Sequence, residues 1–212
     1  MVIMLIIDSL ANILFFISGI NIIWTMIGYP LSLRVINKII KPVTFNKNYS
    51  YKPSVTIVVV AHNEEKVIKS KLQNLIDISY PKNKFKILVS SDNSTDKTNE
   101  IVKKFIDDNV SFNIEINEVI ERKGKTNAQN IATKYVNTEY IIFTDANSLF
   151  EKSAVTELMS SFSSNEISYV CGRLIYTNKD NNETAELESG YWEFELKTRK
   201  IESNLQTIIA GN

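Results

Sequence analysis

The stretch VTIVVVAHNEE, residues 55–65, sets the reading of the whole chain. Val55 to Val60 is a short, β-branched, almost continuously apolar run, the pattern of a strand covered on both faces and therefore central in a parallel sheet. It breaks abruptly into Ala61-His62-Asn63-Glu64-Glu65, after which Val67, Ile68, Leu72, Leu75 and Ile76 recur at helical spacing across 64–78. Moving outward, strands are expected at 85–89, 113–119 and 140–143, and helices at 98–107 and 126–136. Strands separated by helices of this size imply βαβ units, right-handed crossovers and an α/β fold.

In such a sheet ligands gather outside the carboxyl ends of the strands. Each of those ends carries a polar loop: 61–65, Ser90-Ser91-Asp92-Asn93-Ser94-Thr95-Asp96, and Thr144-Asp145-Ala146-Asn147. Asp145 and Asn147 read in two ways. Both residue types favour turns, and both can supply oxygen to a metal-diphosphate site. Asp96 reads as a helix cap, His62 as a loop residue, and Cys171 as a small core residue.

The dinucleotide fingerprint G-x-G-x-x-G is absent. Gly124-Lys125-Thr126 looks like the end of a P-loop, but Val119 stands where that loop needs its first glycine. Lysine plus arginine equal aspartate plus glutamate at 24 each, so no basic footprint points to nucleic acid. With one cysteine and one histidine, no intramolecular disulfide and no Cys/His zinc cluster can form. A metal here needs oxygen ligands, which indicates Mg2+ or Mn2+.

Residues 9–33, SLANILFFISGINIIWTMIGYPLSL, are uncharged and long enough to cross a bilayer of roughly 30 Å. Trp24 and Tyr29 sit toward the end of this stretch, and Arg34, Lys38 and Lys41 follow it. That order predicts a membrane span with everything after it on the cytoplasmic side; a buried core helix is the alternative. The expected organisation is a membrane anchor with its basic flank over 1–41, a linker over 42–53, and the α/β domain over 54–212.

VTIVVVAHNEE, SSDNSTD, RKGKTNAQN and FTDAN, in this order, resemble the nucleotide-sugar half of family 2 glycosyltransferases. The apolar N-terminus with its Gly28-Tyr29-Pro30 resembles the polysaccharide-synthase branch. The resemblance implies a glycosyltransferase A-type fold, Rossmann-like with a mostly parallel sheet. It also implies inverting, metal-dependent transfer of a sugar from a nucleotide-diphosphate donor, a UDP-sugar, to a glycan or lipid-linked acceptor. Carried over by position, Ala61 and Glu64 line the nucleotide pocket, Asp92 accepts from the base, and Lys125 lies near the base or diphosphate. Asp145 contacts the ribose or the metal. Asn147 stands where the family usually has a second metal-binding Asp, a departure that predicts weaker metal binding or a route from Asn147 to the metal through water.

A helix is expected at 153–162, a strand at 167–174, and a helix or two across 183–209. In the family an acidic motif supplying the general base follows this region. No carboxylate here, Glu202 included, matches it, so the base is expected beyond Asn212 and the chain reads as a truncated synthase. A catalytically silent nucleotide-sugar-binding module, partner to another membrane subunit, is the alternative.

Overall fold

The structure, a computed structural model, describes residues 2–40, 46–164, 167–175 and 183–205. These fall into two compact units, one within Asn46–Gly172 and the other comprising the described parts of Met1–Phe45 and Arg173–Asn212.

The first unit is a parallel α/β layer structure. Strands β1 (Val55–Ala61), β2 (Phe85–Asp92), β3 (Ile114–Val119) and β4 (Tyr140–Asp145) form one sheet in the order β3-β2-β1-β4. All pairings are parallel. The central strands are the most deeply covered: every residue of β2, and all of β1 except Val60, is buried. This is what the unbroken apolar run of β1 predicts for a strand sandwiched between helices. Ile57, Val59, Ile87 and Val89 form the core with Ile68, Leu72 and Leu75 of α3 (Ile68–Ile76), Val102 and Phe105 of α4 (Thr98–Asp108), and Val155 and Met159 of α6 (Ala154–Ser161). On the other face Val58 and Leu88 meet Ala132 at the end of α5 (Lys125–Ala132).

The strand order reverses direction once. From β1 the chain steps to β2 and then β3, and β4 returns to the opposite side of β1. The switch point lies between the carboxyl ends of β1 and β4, where such sheets open a crevice. Register fixes what meets there: Val60 pairs with both Ser90 and Asp145, and Ala61 pairs with Ser91.

Three expectations need correction. The helix expected from Glu64 begins at Ile68, because the Glu64 and Glu65 amides are held in a turn by Thr98 Oγ1 at 2.8 Å and Asp96 Oδ2 at 3.1 Å. The strand expected at 167–174 is irregular, with Tyr169, Cys171 and Leu174 exposed, so Cys171 is not a core residue. A strand exists only where a neighbouring strand takes its hydrogen bonds, and the sheet, in the order β3-β2-β1-β4, does not include this segment. The expected linker is partly packed: Lys47 Nζ meets Glu157 Oε2 at 2.7 Å and the Asn48 amide donates to Ser160 O at 2.9 Å, both on α6, while residues 42–45 lie outside the described residues.

In the second unit, α1 (Val2–Ile23), a π-helical turn at Trp24–Gly28 and α2 (Tyr29–Ile39) follow one another. The part Ile7–Ile39, 33 residues with mean hydropathy 1.9 in its most apolar window, is long and apolar enough to cross a membrane. Gly28 has a packing reason: a Cβ there would come within 2.5 Å of the Trp24 ring. Tyr29 of α2 donates its hydroxyl to Glu202 Oε1, 2.5 Å away, on α7 (Glu183–Asn204). The expected end of the last helix, 206–209, lies outside the described residues, as do Ala210, Gly211 and Asn212.

Candidate functional site

The switch point is occupied by an open cleft of about 320 Å3. Glu64, Asp92, Lys125, Asp145 and Asn147, five of the expected site residues, line it. The sixth, Ala61, is buried at the end of β1 between the lining residues Val60 and His62.

Two of the three polar loops are tied together. Asn63, in the left-handed region with φ 56°, accepts through Oδ1 from the Thr95 amide at 2.8 Å, and its own amide donates to Ser94 Oγ at 3.2 Å. Asparagine tolerates this backbone conformation better than most residues. The Glu65 amide donates to Asp96, and the Lys97 amide donates back to Glu65 Oε2 at 3.2 Å. The N-cap position of α4 itself is taken by Lys97, although Asp96 also accepts from the Thr98 amide, at the first residue of the helix, at 2.9 Å. Burial alone would raise its pKa, but the donors from Thr98 and Glu65 outweigh that and hold the carboxyl below its ordinary value. His62 Nδ1 lies 2.7 Å from Asp92 O. A carbonyl only accepts, so Nδ1 is the donor in this contact.

Asp92 is 3 % exposed. Oδ2 accepts from the Gly124 amide at 3.0 Å and Oδ1 from the Lys123 amide at 3.4 Å. These contacts join the end of β2 to the basic loop before α5 and aim the carboxylate, whose oxygens keep further lone pairs for a ligand. Gly124 adopts φ 88° and ψ 170°, a combination open almost only to glycine.

At the Asp145-Ala146-Asn147 corner a turn and the lining of the cleft coincide. Ala146, 2 % exposed, is packed into the core. Its exposed neighbours Asp145 and Asn147 line the cleft, and the turn closes through Ser148 Oγ donating to Asp145 O at 3.2 Å. Lys125 Nζ lies 2.6 Å from Asp145 Oδ1. With Arg122 it places two cations on a wall that also carries Glu64, Asp92 and Asp145.

A divalent cation fits this donor set. One carboxylate and one amide oxygen, with the remaining positions filled by diphosphate oxygens and water, suit Mg2+ or Mn2+, which are seldom held by an all-protein cage. Among the described residues no cluster of three or more His, Cys, Asp or Glu could make such a cage.

One residue at this corner escaped the sequence pattern. Lys71 of α3 is fully buried and donates from Nζ to Thr144 Oγ1 at 2.9 Å and Ser148 O at 2.5 Å. Burial pushes its pKa down to about 8, against an upward pull from Asp145. Its signal was positional: it lies three residues after Ile68 and four before Leu75, within the apolar stripe.

The chain is similar to known proteins. The probable glycosyltransferase YdaM of Bacillus subtilis (strain 168) is 32% identical over 170 residues, covering 74% of this chain and 39% of YdaM. The poly-beta-1,6-N-acetyl-D-glucosamine synthase of Staphylococcus aureus (strain COL) is 26% identical over 108 residues, 51% of this chain and 25% of the synthase. The chain therefore spans about two fifths or less of the length of these relatives. Among solved structures, the mannosyltransferase PcManGT from Pyrobaculum calidifontis in complex with GDP-Man and Mn2+ matches with a TM-score of 0.62 at 27% identity, covering 68% of this chain and 43% of that one. The α/β unit thus has the glycosyltransferase A-type fold. Residues 56–212 match the family described as Glycosyl transferase family 2, and the chain belongs to that family.

Proposed function

We propose that this protein transfers a sugar from a nucleotide-diphosphate donor, a UDP-sugar, to a glycan or lipid-linked acceptor, with inversion and with Mg2+ or Mn2+. The observation that carries the reading is the convergence of Asp92, Lys125, Asp145 and Asn147 on one cleft at the switch point of a parallel sheet. Asp92, aimed by two backbone amides, accepts a base N–H; the imide of uracil supplies one. Arg122 and Lys125 face the diphosphate. Departure of the nucleoside diphosphate builds negative charge on its β-phosphate, and a preorganised cation lowers the energy of that state. Asp145 and Asn147 would hold the divalent cation, which would supply Lewis-acid stabilisation of the same charge. The Ile7–Ile39 helix anchors the enzyme in the bilayer, with the cleft on the cytoplasmic side, where Arg34 and Lys38 follow the apolar stretch. The relatives' names support a polysaccharide or other glycan as acceptor, and the Mn2+ in the PcManGT complex supports the metal.

Calorimetric titration of the detergent-solubilised chain with UDP in the presence of Mn2+ tests this. Binding is expected, tighter than to CDP or ADP, whose bases lack an imide N–H, and weakened at least about tenfold by Asp92→Ala or Asp145→Ala, since a hydrogen bond to a charged group is worth about 1.5–3 kcal/mol. Stronger binding of GDP would reassign the base while keeping the site. No binding, or binding untouched by both substitutions, would end the reading. Binding without sugar transfer in any donor panel would favour a nucleotide-sugar-binding module instead.

A further inference from the structure

Lys71 is a costly residue to place at the centre of a core face. Ile68, Lys71, Leu72 and Leu75 share one stripe of α3, and all are fully buried. A methionine would fill a similar volume without taking a charge out of water, a penalty of several kcal/mol per ion. The ammonium is not there to neutralise a partner at hydrogen-bond distance: its two acceptors are the neutral oxygens Thr144 Oγ1 and Ser148 O, and its third direction meets the Phe150 ring, 4.3 Å from the centroid.

Those two acceptors are the ends of one loop. Thr144 immediately precedes Asp145, Ser148 immediately follows Asn147, and the two hydroxyls lie 3.1 Å apart. One turn further along α3, Asn74 continues the attachment. Its Nδ2 donates to Phe150 O at 2.8 Å and its Oδ1 accepts from the Phe150 amide at 2.7 Å. Residues 71 and 74 thus grip 144–150 from the interior, while Ala146 packs into the core beneath the turn. The outer side of the same loop presents Asp145 and Asn147 to the cleft.

We infer that Lys71 is a positioning residue: its buried ammonium spans the two ends of the Thr144–Ser148 loop and sets the separation of the Asp145 carboxylate and the Asn147 amide for joint use on a divalent cation and diphosphate. This rests on the proposed function, which supplies the cation. The physical reason is preorganisation. Two short, exposed side chains on a turn reach a common ion reproducibly only if the backbone between them is held, and outer partners that hold ligands are worth about 10- to 100-fold in metal affinity.

Lys71→Met separates this role from mere packing. Three quantities are compared with the wild type in detergent: the melting temperature, amide hydrogen exchange across 143–150 relative to β1 and β2, and the affinity for UDP with and without Mn2+. The expected result is faster exchange confined to 143–150 and a loss of Mn2+-supported UDP affinity of at least about tenfold. In a Lys71→Met/Asn147→Ala double variant the two losses should not add, because both act on one ligand pair. A melting temperature lowered with unchanged relative exchange would overturn the inference. So would an affinity loss equal in the presence and absence of Mn2+. If the wild type binds no UDP with Mn2+, the proposed function falls, and the exchange pattern alone decides whether Lys71 holds the loop.

Discussion

Lys125 Nζ sits 2.6 Å from Asp145 Oδ1, so the carboxylate that the proposed function offers to a metal is already paired with a cation that lines the same cleft. Both side chains are more than half exposed, and such pairs are worth at most ~1 kcal/mol. If the proposed function holds, Lys125 competes with a metal in the free protein and turns to the diphosphate once donor arrives. Lys125→Met should tighten Mn2+ binding without nucleotide by about two- to fivefold, the equivalent of that pair. The same change should weaken UDP binding at saturating Mn2+. Mn2+ titration monitored by electron paramagnetic resonance, with and without UDP, reads both directions; weakening in both would show that the two residues do not compete.

Gly124 lines the cleft between Asp92, to which its amide donates, and Lys125, which pairs with Asp145. A Cβ at this position would meet nothing within 4 Å, so any penalty of Gly124→Ala is conformational rather than steric. At φ 88° and ψ 170° that penalty is about 1–3 kcal/mol. A drop of several degrees in melting temperature is expected, together with weaker UDP binding, because relaxing the strain withdraws the amide that orients Asp92. An unchanged melting temperature would mean the loop adopts another conformation in solution.

Much of this arrangement could be read from the chain alone, and the parts that could not have a common cause. The run Val55–Val60 announces a two-face-buried strand because its pattern is local, and the polar loops after β1, β2 and β4 follow from parallel topology. What escaped depends on partners far along the chain. Asn63 and Glu65 read as cleft-side polar groups, yet they are hydrogen-bonded to Thr95 and Lys97 some thirty residues on. Lys71 breaks a helical stripe, and only the tertiary fold shows that its acceptors are Thr144 and Ser148. Residues 167–174 carry strand-like residues, but composition does not say whether a neighbouring edge is present.

The loop-to-loop clamp around Asp96 is acid-labile with a definite sign. Its carboxyl is depressed in the folded state by the Thr98 and Glu65 donors, so it stabilises the fold above the ordinary carboxylate pKa of about 4. That contribution is lost as pH falls through the lowered folded value. The effect is modest because the side chain is half-exposed. Asp96→Asn should be less stable than the wild type at pH 7, and the gap should narrow as pH falls below the ordinary carboxylate value. Thermal melts across pH 3–7 measure the gap, and a gap that stays constant would remove Asp96 from the account.

Asn147 is the sharpest departure from the family pattern, and its consequence is calculable in direction. The amide oxygen offers a dipole where an aspartate would offer a full charge, and affinity for hard cations rises with the charge of the ligand set. Asn147→Asp should therefore tighten Mn2+ binding by about tenfold or more at neutral pH. The new carboxylate lies two residues from Asp145, and like charges so close raise each other's pKa. The gain should consequently shrink below about pH 5, as one of the pair takes up a proton. Lys125 already pairs with Asp145 and offsets part of that repulsion in the free protein. The gain should then be larger with UDP bound, when the diphosphate draws Lys125 away. Mn2+ titrations at pH 7 and pH 5, each with and without UDP, give four constants. Equality of the wild-type and Asn147→Asp values in all four would mean that position 147 does not reach the metal.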